Sequence, residues 1–162
     1  MSAPFGADGK GLPNFSYVVD DKLAGMAHPR YAGDLGEALD ALKAEGVTAL
    51  VSLDEVGLDS DLVRRHGLVH RHIPVPDFGA PTAKQADAFV AFVDAEIERG
   101  GAVVAHCGAG IGRTGTMLAA YLIAHGSSVG AATEEVSRRR TQSHESAQQL
   151  EFLREYAGRR TG

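Results

Sequence analysis

Apolar positions along the chain predict short strands that alternate with amphipathic helices. Short, mostly apolar segments predict strands at 15–19, 23–25, 47–53, 68–73 and 102–105. Apolar residues at helical spacing predict helices over 34–45, from Thr82 to just before Gly100, and over 114–124. Gly46, Gly100 and Gly126 directly follow these helices, at positions where glycine commonly ends a helix.

Strands that alternate with helices are typical of an α/β fold. We expect a central, mostly parallel sheet flanked by helices on both faces, with the first two strands paired at one edge. Sheets of this kind bind ligands beyond the carboxyl ends of their strands. The 162 residues contain no repeat or long linker, so we expect a flexible N-terminal lead at 1–12 and one globular domain at 13–162.

Composition argues against several classes of partner. The formal net charge of −5 argues against nucleic acid, because phosphate backbones are bound by basic surfaces. No apolar run reaches membrane-spanning length, and the first residues lack the hydrophobic stretch of a signal peptide. The single cysteine excludes an internal disulfide and favours a reducing compartment. We therefore expect a cytoplasmic monomer that binds neither nucleic acid nor membranes.

The segment HCGAGIGRTG, residues 106–115, is the strongest chemical signal in the chain. It follows a predicted buried strand and precedes a helix, which predicts a tight loop at a helix N-terminus. Its glycines allow the backbone to turn so that successive N–H groups point at one site, and such a site binds phosphate or sulfate-like anions. We expect phosphate contacts from the loop residues Gly108, Ala109, Gly110, Ile111, Gly112 and Arg113.

Cys107 is the candidate nucleophile of this loop. A thiolate is stabilised at a helix N-terminus beside an arginine, and Arg113 follows six residues later. The planar guanidinium suits two phosphoryl oxygens, a geometry that lysine lacks. We expect Thr114 to donate to the sulfur and help it leave, and His106 to order the loop by hydrogen bonding. Cys107 must then be accessible to a ligand, and a buried structural cysteine is the alternative interpretation.

Other loop and metal motifs fit these residues poorly. The segment lacks the third glycine of a dinucleotide fingerprint at the proper step, and it has no Gly-Lys-Ser/Thr of a Walker loop. His66, His70 and His72 precede Asp77, but no cysteine or paired carboxylate completes a recognisable zinc site. We therefore expect neither a metal nor a cofactor.

The pattern of His, Cys, five residues, Arg and Thr resembles the signature of the cysteine-dependent protein tyrosine phosphatase superfamily. Within that superfamily the chain is most similar to the small atypical dual-specificity phosphatases of the VHZ type. The similarity continues through the segments LPNFSYVVDDKLAGMAHPR, VTALVSLDE, HRHIPVPDFGAPT and SHESAQQLEFLREY, so it covers nearly the whole chain. The resemblance implies that residues 13–162 form a dual-specificity phosphatase-like catalytic domain.

The resemblance also implies roles for three residues outside the loop. Asp77, in the segment IPVPDFGAPT, is implied as the general acid, on a loop that closes over the phosphate. Residues 54 and 59–61 also offer carboxylates, but they rank lower because we place them in a loop after a different strand. Gln149 is implied to position the hydrolytic water, with Gln148 as an alternative, and Glu145 to orient the loop or act as an accessory acid.

Residues 138–145 differ from the family pattern. Thr141 and Gln142 stand where relatives often have Pro and Gly, which alters the expected start of the last helix. Ser143 is expected to begin a capping box there. The arginines at 138–140 form either a basic rim for acidic phosphopeptides or a last helical turn that faces water.

The resemblance implies a protein phosphatase that hydrolyses phosphotyrosine, and phosphoserine or phosphothreonine, in proteins or peptides through a phosphocysteine intermediate. The alternatives are a phosphoinositide or inositol-phosphate phosphatase, an RNA 5′-phosphatase, and a module that binds phosphoproteins without catalysis. Gly108, Ala109 and Ile111 favour phosphotyrosine, because inositol-phosphate enzymes of this superfamily often place lysines within the loop. The complete set of candidate catalytic residues argues against a non-catalytic module.

Overall fold

The computed structural model describes residues 11–109, 111–140 and 145–161. The strands within these ranges are β1 (Ser16–Val19), β2 (Leu23–Met26), β3 (Ala49–Ser52), β4 (Val69–His72) and β5 (Val103–His106). The α-helices are α1 (Leu35–Ala44), α2 (Ser60–Arg65), α3 (Ala83–Glu98), α4 (Gly112–Ala124), α5 (Val129–Arg139) and α6 (Ala147–Thr161), and a 3₁₀ helix spans Pro29–Ala32. No helix in these ranges is both long and apolar enough to cross a bilayer.

The five strands form one sheet in the order β1-β2-β5-β3-β4. The β1–β2 pair is antiparallel and lies at an edge, whereas the other neighbouring pairs are parallel. This confirms the expected mostly parallel sheet and its paired first strands. The central strand is β5, and its last residue, His106, is in register with Met26 on one side and Ser52 on the other. The loop that follows β5 therefore leaves the middle of the sheet at the carboxyl edge.

Alternating strand residues supply two hydrophobic cores, one on each face of the sheet. Val51 and Ala105 belong to the core that includes residues of α3, α4, α5 and α6. Leu50 and Val104, one position away on the same strands, belong to the core that includes residues of α1 and α2. All four residues of β5 are buried, as expected for a central parallel strand covered on both faces. Helices on both faces, as predicted, enclose the strand that directly precedes the candidate nucleophile.

The helix ends follow local sequence signals. Asp34 caps α1, and Gly46, just beyond its end, adopts a φ of 99° that favours glycine. Thr82 and Gln85 form a reciprocal capping box at the start of α3. The prediction of a loop at residues 59–61 is wrong, because Asp59 caps α2 and Asp61 lies inside it. The short α2 helix has few apolar residues, so its pattern gave no helical signal.

Candidate active site

The loop between β5 and α4 forms one wall of a pocket of about 450 Å³. The pocket is lined by Cys107, Gly108, Ala109 and Ile111 of this loop, and by Gly112 and Arg113 of the first turn of α4. Opposite residues come from two distant segments, and they are Asp77, Phe78, Glu145, Ser146 and Gln149. The fold thus brings most of the predicted site residues around one cavity, while Gly110 lies outside the described residues.

Cys107 lies at the pocket wall with little surface exposed. Its relative exposure is 3%, yet it is among the residues that line the cavity. Cys107 therefore borders the cavity, and the access of a ligand to its sulfur stays a prediction. The Thr114 hydroxyl donates to the Cys107 Sγ across 3.0 Å, the contact expected from the sequence. Since α4 begins at Gly112, the sulfur also lies near the positive end of a helix that stabilises an anion.

Three successive carbonyl groups of the loop accept hydrogen bonds from outside it. The Cys107 carbonyl accepts from His106 Nδ1 at 3.1 Å, and the Gly108 carbonyl accepts from the His28 backbone N–H at 2.7 Å. The Ala109 carbonyl accepts from the Asn14 side-chain amide at 3.3 Å. Because a trans peptide is planar, the carbonyls of Cys107 and Gly108 fix the N–H groups of Gly108 and Ala109 on the opposite side. These amides are thereby oriented before any anion binds.

Arg113 connects the loop to the segment that carries Asp77. Its guanidinium donates to the Val75 carbonyl at 3.0 Å, and its other terminal nitrogen lies 3.5 Å from the Asp77 carboxylate. The Arg113 side chain is buried, whereas that of Asp77 is 63% exposed. The guanidinium therefore has a fixed orientation toward the pocket, while the carboxylate keeps contact with solvent.

The segment around Asp77 is held over the pocket by the start of α6. The Ser146 hydroxyl donates to the Phe78 carbonyl at 3.1 Å, and the Gln149 amide donates to the Gly79 carbonyl at 2.9 Å. Phe78 adopts a φ of 60°, and its N–H donates to the Asp77 carboxylate. A bulky residue with positive φ is uncommon, and such residues cluster at functional sites. These bonds connect the Asp77 segment to the start of α6, while its closure over a phosphate stays a prediction.

Burial and side-chain contacts distinguish Gln149 from Gln148, the two candidates for positioning water. Gln149 is 1% exposed and lines the pocket, whereas Gln148 is exposed to solvent. Glu145 also lines the pocket. Ser146 and Gln149 bond reciprocally, side chain to backbone N–H, which places the capping box at Ser146 instead of at Ser143. Ser143, Thr141 and Gln142 themselves lie outside the described residues.

His106 and Arg140 are both buried behind the loop. Burial lowers the pKa of His106 to about 4, so its ring is neutral near neutral pH and suited to ordering the loop. The prediction that residues 138–140 form a rim or face water is wrong for Arg140. Its guanidinium is 1% exposed and donates to the Asn14 carbonyl and the Ser16 hydroxyl. Burial lowers the pKa of Arg140 to about 10, which leaves it cationic.

The histidines that raised a metal hypothesis have separate partners. His66 bonds Asp40, His72 bonds the Asp54 carbonyl, and His70 bonds two serine hydroxyls. Within the described parts of the chain, no three His, Cys, Asp or Glu side chains converge as metal ligands.

Sequence reasoning missed two residues of the pocket, Phe78 and Ser146. Phe78 follows the predicted acid directly, and its 76% exposure is unusual for a large apolar side chain. Ser146 begins the pattern Ser-x-x-Gln, which is a capping signal that could have been recognised.

Comparisons with known proteins agree with this geometry. A family model described as "Tc-R-P: Polymorphic toxin system, DSP-PTPase phosphatase" matches residues 24–127. The dual specificity protein phosphatase CDC14C of Symphalangus syndactylus is 34% identical over 122 residues, which are 69% of this chain and 24% of the relative. The chain therefore spans about a quarter of the length of that relative.

Two solved structures have the same fold over most of their length. Tk-PTP in its active form has a TM-score of 0.80 and 30% identity, with 91% of this chain and 98% of that chain covered. PTPMT1 in complex with PI(5)P has a TM-score of 0.80 and 25% identity, with 90% and 96% covered. The VHZ branch is not distinguished by these similarities and stays a prediction. The family model covers more than half of the sequence, so the chain belongs to the DSP-PTPase phosphatases, within the cysteine-dependent protein tyrosine phosphatase superfamily.

Proposed function

We propose that residues 13–162 form one catalytic domain that hydrolyses phosphate monoesters of proteins through a phosphocysteine intermediate. The observation that carries the proposal is that Cys107, Arg113 and Asp77 line one pocket, while a hydroxyl donor contacts the sulfur of Cys107. Thr114 lies 3.0 Å from the Cys107 sulfur, and Asp77 lies 3.5 Å from the Arg113 guanidinium. Each group has a different role in phosphoryl transfer.

In the first step, the Cys107 thiolate donates an electron pair to phosphorus and the bond from phosphorus to the ester oxygen breaks. Asp77, in its protonated form, gives its proton to the departing oxygen, so that an alcohol or phenol leaves. Arg113 and the loop amides bind the three equatorial oxygens, on which the charge of the transition state is spread. The product of this step is phosphocysteine and an Asp77 carboxylate.

In the second step, water attacks phosphorus and the sulfur–phosphorus bond breaks. The Asp77 carboxylate takes a proton from this water, which restores the acid, and inorganic phosphate leaves. We assign Gln149 to positioning the water, because it lines the pocket next to the segment that carries Asp77. The Thr114 hydroxyl stabilises the departing thiolate by a hydrogen bond.

Phosphotyrosine is the substrate we favour, with phosphothreonine and phosphoserine weaker. Phe78 places an exposed aromatic side chain in the pocket wall, where it offers contact to an aryl ring. Among the described residues of the pocket, Arg113 is the one cation, and Asp77 and Glu145 add negative charge. A head group with several phosphates would meet too few cations there.

A phosphoinositide is the second candidate. It is supported by the likeness to PTPMT1, a protein whose structure was solved with PI(5)P, at 25% identity. Turnover of a phosphotyrosine peptide, a phosphothreonine peptide and PI(5)P by the same preparation ranks these candidates. Faster turnover of PI(5)P than of both peptides would replace the protein substrate in this proposal.

The test of the mechanism is turnover of para-nitrophenyl phosphate and of a phosphotyrosine peptide by the wild type and two variants. Cys107→Ser is expected to abolish turnover and the trapped phosphocysteine. Asp77→Asn is expected to lower kcat by about 10²–10⁴ for a peptide substrate, because it removes the general acid. Asp61→Asn is the matched control, since that exposed carboxylate pairs with Arg64 on α2. Unchanged turnover in Cys107→Ser would contradict the proposed nucleophile.

A further inference from the structure

A line of four side chains connects helix α2 to the Cys107 carbonyl, and we call it the Ser–His relay. It consists of Ser60, His70, Ser52 and His106. The Ser60 hydroxyl lies 2.6 Å from His70 Nδ1, and His70 Nε2 lies 2.9 Å from the Ser52 hydroxyl. The same hydroxyl lies 2.7 Å from His106 Nε2, and His106 Nδ1 lies 3.1 Å from the Cys107 carbonyl oxygen. Every contact is short enough for a hydrogen bond.

The sheet register brings these side chains together. Ser52 and His106 end β3 and β5 and are direct partners in the parallel ladder, so their side chains point to the same face. That face is the one covered by α1 and α2, as shown by Leu50 and Val104 two residues earlier. Both Ser52 and His106 are 0% exposed, whereas His70 and Ser60 are half-buried. The relay therefore runs from near the surface into the centre of the sheet.

The Cys107 carbonyl at the end of the relay determines which atom is the donor in each of its hydrogen bonds. A carbonyl oxygen only accepts, so His106 Nδ1 must carry its proton. A neutral His106 then accepts at Nε2, and the Ser52 hydroxyl must donate to it. Ser52 accepts in turn from His70 Nε2–H, and a neutral His70 accepts at Nδ1 from Ser60. Burial lowers the pKa of both histidines, which favours these neutral forms.

We propose that Ser52, His70 and Ser60 are positioning residues that set the tautomer of His106 and thereby the orientation of the Gly108 amide toward a bound phosphate. The tautomers and the binding of phosphate do not depend on the proposed function, whereas any effect of these residues on catalysis rests on it. If Nδ1 of His106 lost its proton, it could not hold the Cys107 carbonyl. The planar peptide between Cys107 and Gly108 would then be free to rotate. An amide that must be reoriented stabilises an anion less than one already fixed.

The first test reads the tautomers of the full-length wild type by ¹⁵N NMR of labelled histidines. We expect His106 to be protonated at Nδ1 and His70 at Nε2 near neutral pH. The opposite tautomer of either ring would overturn the relay without reference to any enzymatic activity. This result needs no variant, so a folding failure cannot obscure it.

The second test measures binding of inorganic phosphate by Ser52→Ala, which removes the central hydroxyl. We expect mixed tautomers of His106 and a dissociation constant raised about five- to tenfold, because a buried nitrogen of His106 and a half-buried nitrogen of His70 lose their partner. Ser52→Thr keeps a hydroxyl and suits a strand, so it should restore both readouts. Ser60→Ala, at the outer end, should alter the His70 signals and raise the dissociation constant less than about twofold.

Thr48→Val is the matched control for Ser52→Ala. Thr48 precedes the opposite end of β3, and its hydroxyl bonds Glu96 and the Ala102 carbonyl. This variant should leave the His106 tautomer and phosphate affinity at wild-type values. The proposal is overturned if Ser52→Ala keeps both wild-type readouts, or if Thr48→Val changes them equally. Absent turnover of para-nitrophenyl phosphate, by contrast, would contradict only the proposed function.

Discussion

At the scale of single residues, the hydroxyl of Thr114 has the most specific place in the site. It donates to the sulfur of the chain's single cysteine across 3.0 Å. A hydrogen bond to an ionised group contributes about 1.5–3 kcal/mol, which is more than a bond to a neutral group contributes. The benefit is therefore greatest when the sulfur departs as a thiolate, which in our proposal is the breakdown of phosphocysteine.

Thr114→Ala should slow the second chemical step far more than the first. We expect kcat to fall about 10- to 100-fold, with a burst of nitrophenol that matches the enzyme concentration, because phosphocysteine accumulates. Rapid-mixing kinetics with para-nitrophenyl phosphate measures both quantities. Thr114→Ser keeps the hydroxyl and should behave nearly as the wild type. A fall in kcat without a burst would place the role of Thr114 in the first step instead.

The site residues that could be predicted from the sequence are those that lie at a recognisable spacing within one short segment. Cys107, Arg113 and Thr114 lie within one segment of eight residues, so their relation is local. Gln149 and Gln148 could not be separated, since the choice depends on which helix face meets a segment 70 residues away. Arg140 was misplaced for the same kind of reason, because only the tertiary structure shows that its guanidinium is buried.

At the scale of elements, the contact between β2 and α4 depends on Gly25, which has no side chain. A Cβ atom at Gly25 would lie 2.7 Å from Thr114 Cγ2 and 2.8 Å from the Arg140 guanidinium. Real Cβ atoms do not approach this closely, so β2, α4 or Arg140 would have to move. The glycine therefore permits the strand to pack against the helix that carries Thr114.

Gly25→Ala should destabilise the fold and disturb the site together. We expect the free energy of unfolding in urea to fall by about 1–3 kcal/mol, the usual effect of overpacking a core. Turnover of para-nitrophenyl phosphate should fall as well, because Thr114 is among the displaced atoms. Gly130→Ala in α5 is the control, since its Cβ would meet open space and alanine favours a helix. Equal stability of the two variants would contradict the packing argument.

The strands and longer helices could be predicted because each has its own repeat of apolar positions. The α1 helix lies within one residue of the predicted 34–45 segment, and α3 begins directly after Thr82 as expected. The α2 helix escaped prediction because it is six residues long and depends on a cap at Asp59. A short polar helix has too few apolar positions to show a period.

At the scale of the whole molecule, the alternation of strands and helices predicted the fold class but not the strand order. That order, β1-β2-β5-β3-β4, results from pairings between segments far apart in sequence. It places β5 in the centre, and it brings Ser52 beside His106 across 54 residues. The attachment of the Asp77 segment to α6 is equally nonlocal, so no local pattern predicts it.

The buried His106 should make the stability of the fold depend on pH. Its folded pKa of about 4 lies below the ordinary 6.5, so the unfolded chain binds the proton more readily. The stabilisation is complete above pH 6.5 and is lost as the pH falls toward 4. Between pH 7.5 and pH 5 this group should remove about 2 kcal/mol from the free energy of unfolding.

Urea unfolding at these two pH values measures the effect. His28 and His70, whose pKa values are also lowered by burial, should add to it in the same direction. In His106→Asn, whose amide can still donate to the Cys107 carbonyl, the loss between the two pH values should be smaller. An identical loss in this variant would show that other groups cause the acid sensitivity.

The segment that carries Asp77 is fastened at several points before any ligand arrives. Four of its carbonyls, those of Pro74, Val75, Phe78 and Gly79, accept side-chain hydrogen bonds from Gln85, Arg113, Ser146 and Gln149. This part of the site is therefore preorganised, so little of a phosphoester's binding energy would be needed to order the segment. We therefore expect selectivity among esters to depend on the shape of the pocket entrance.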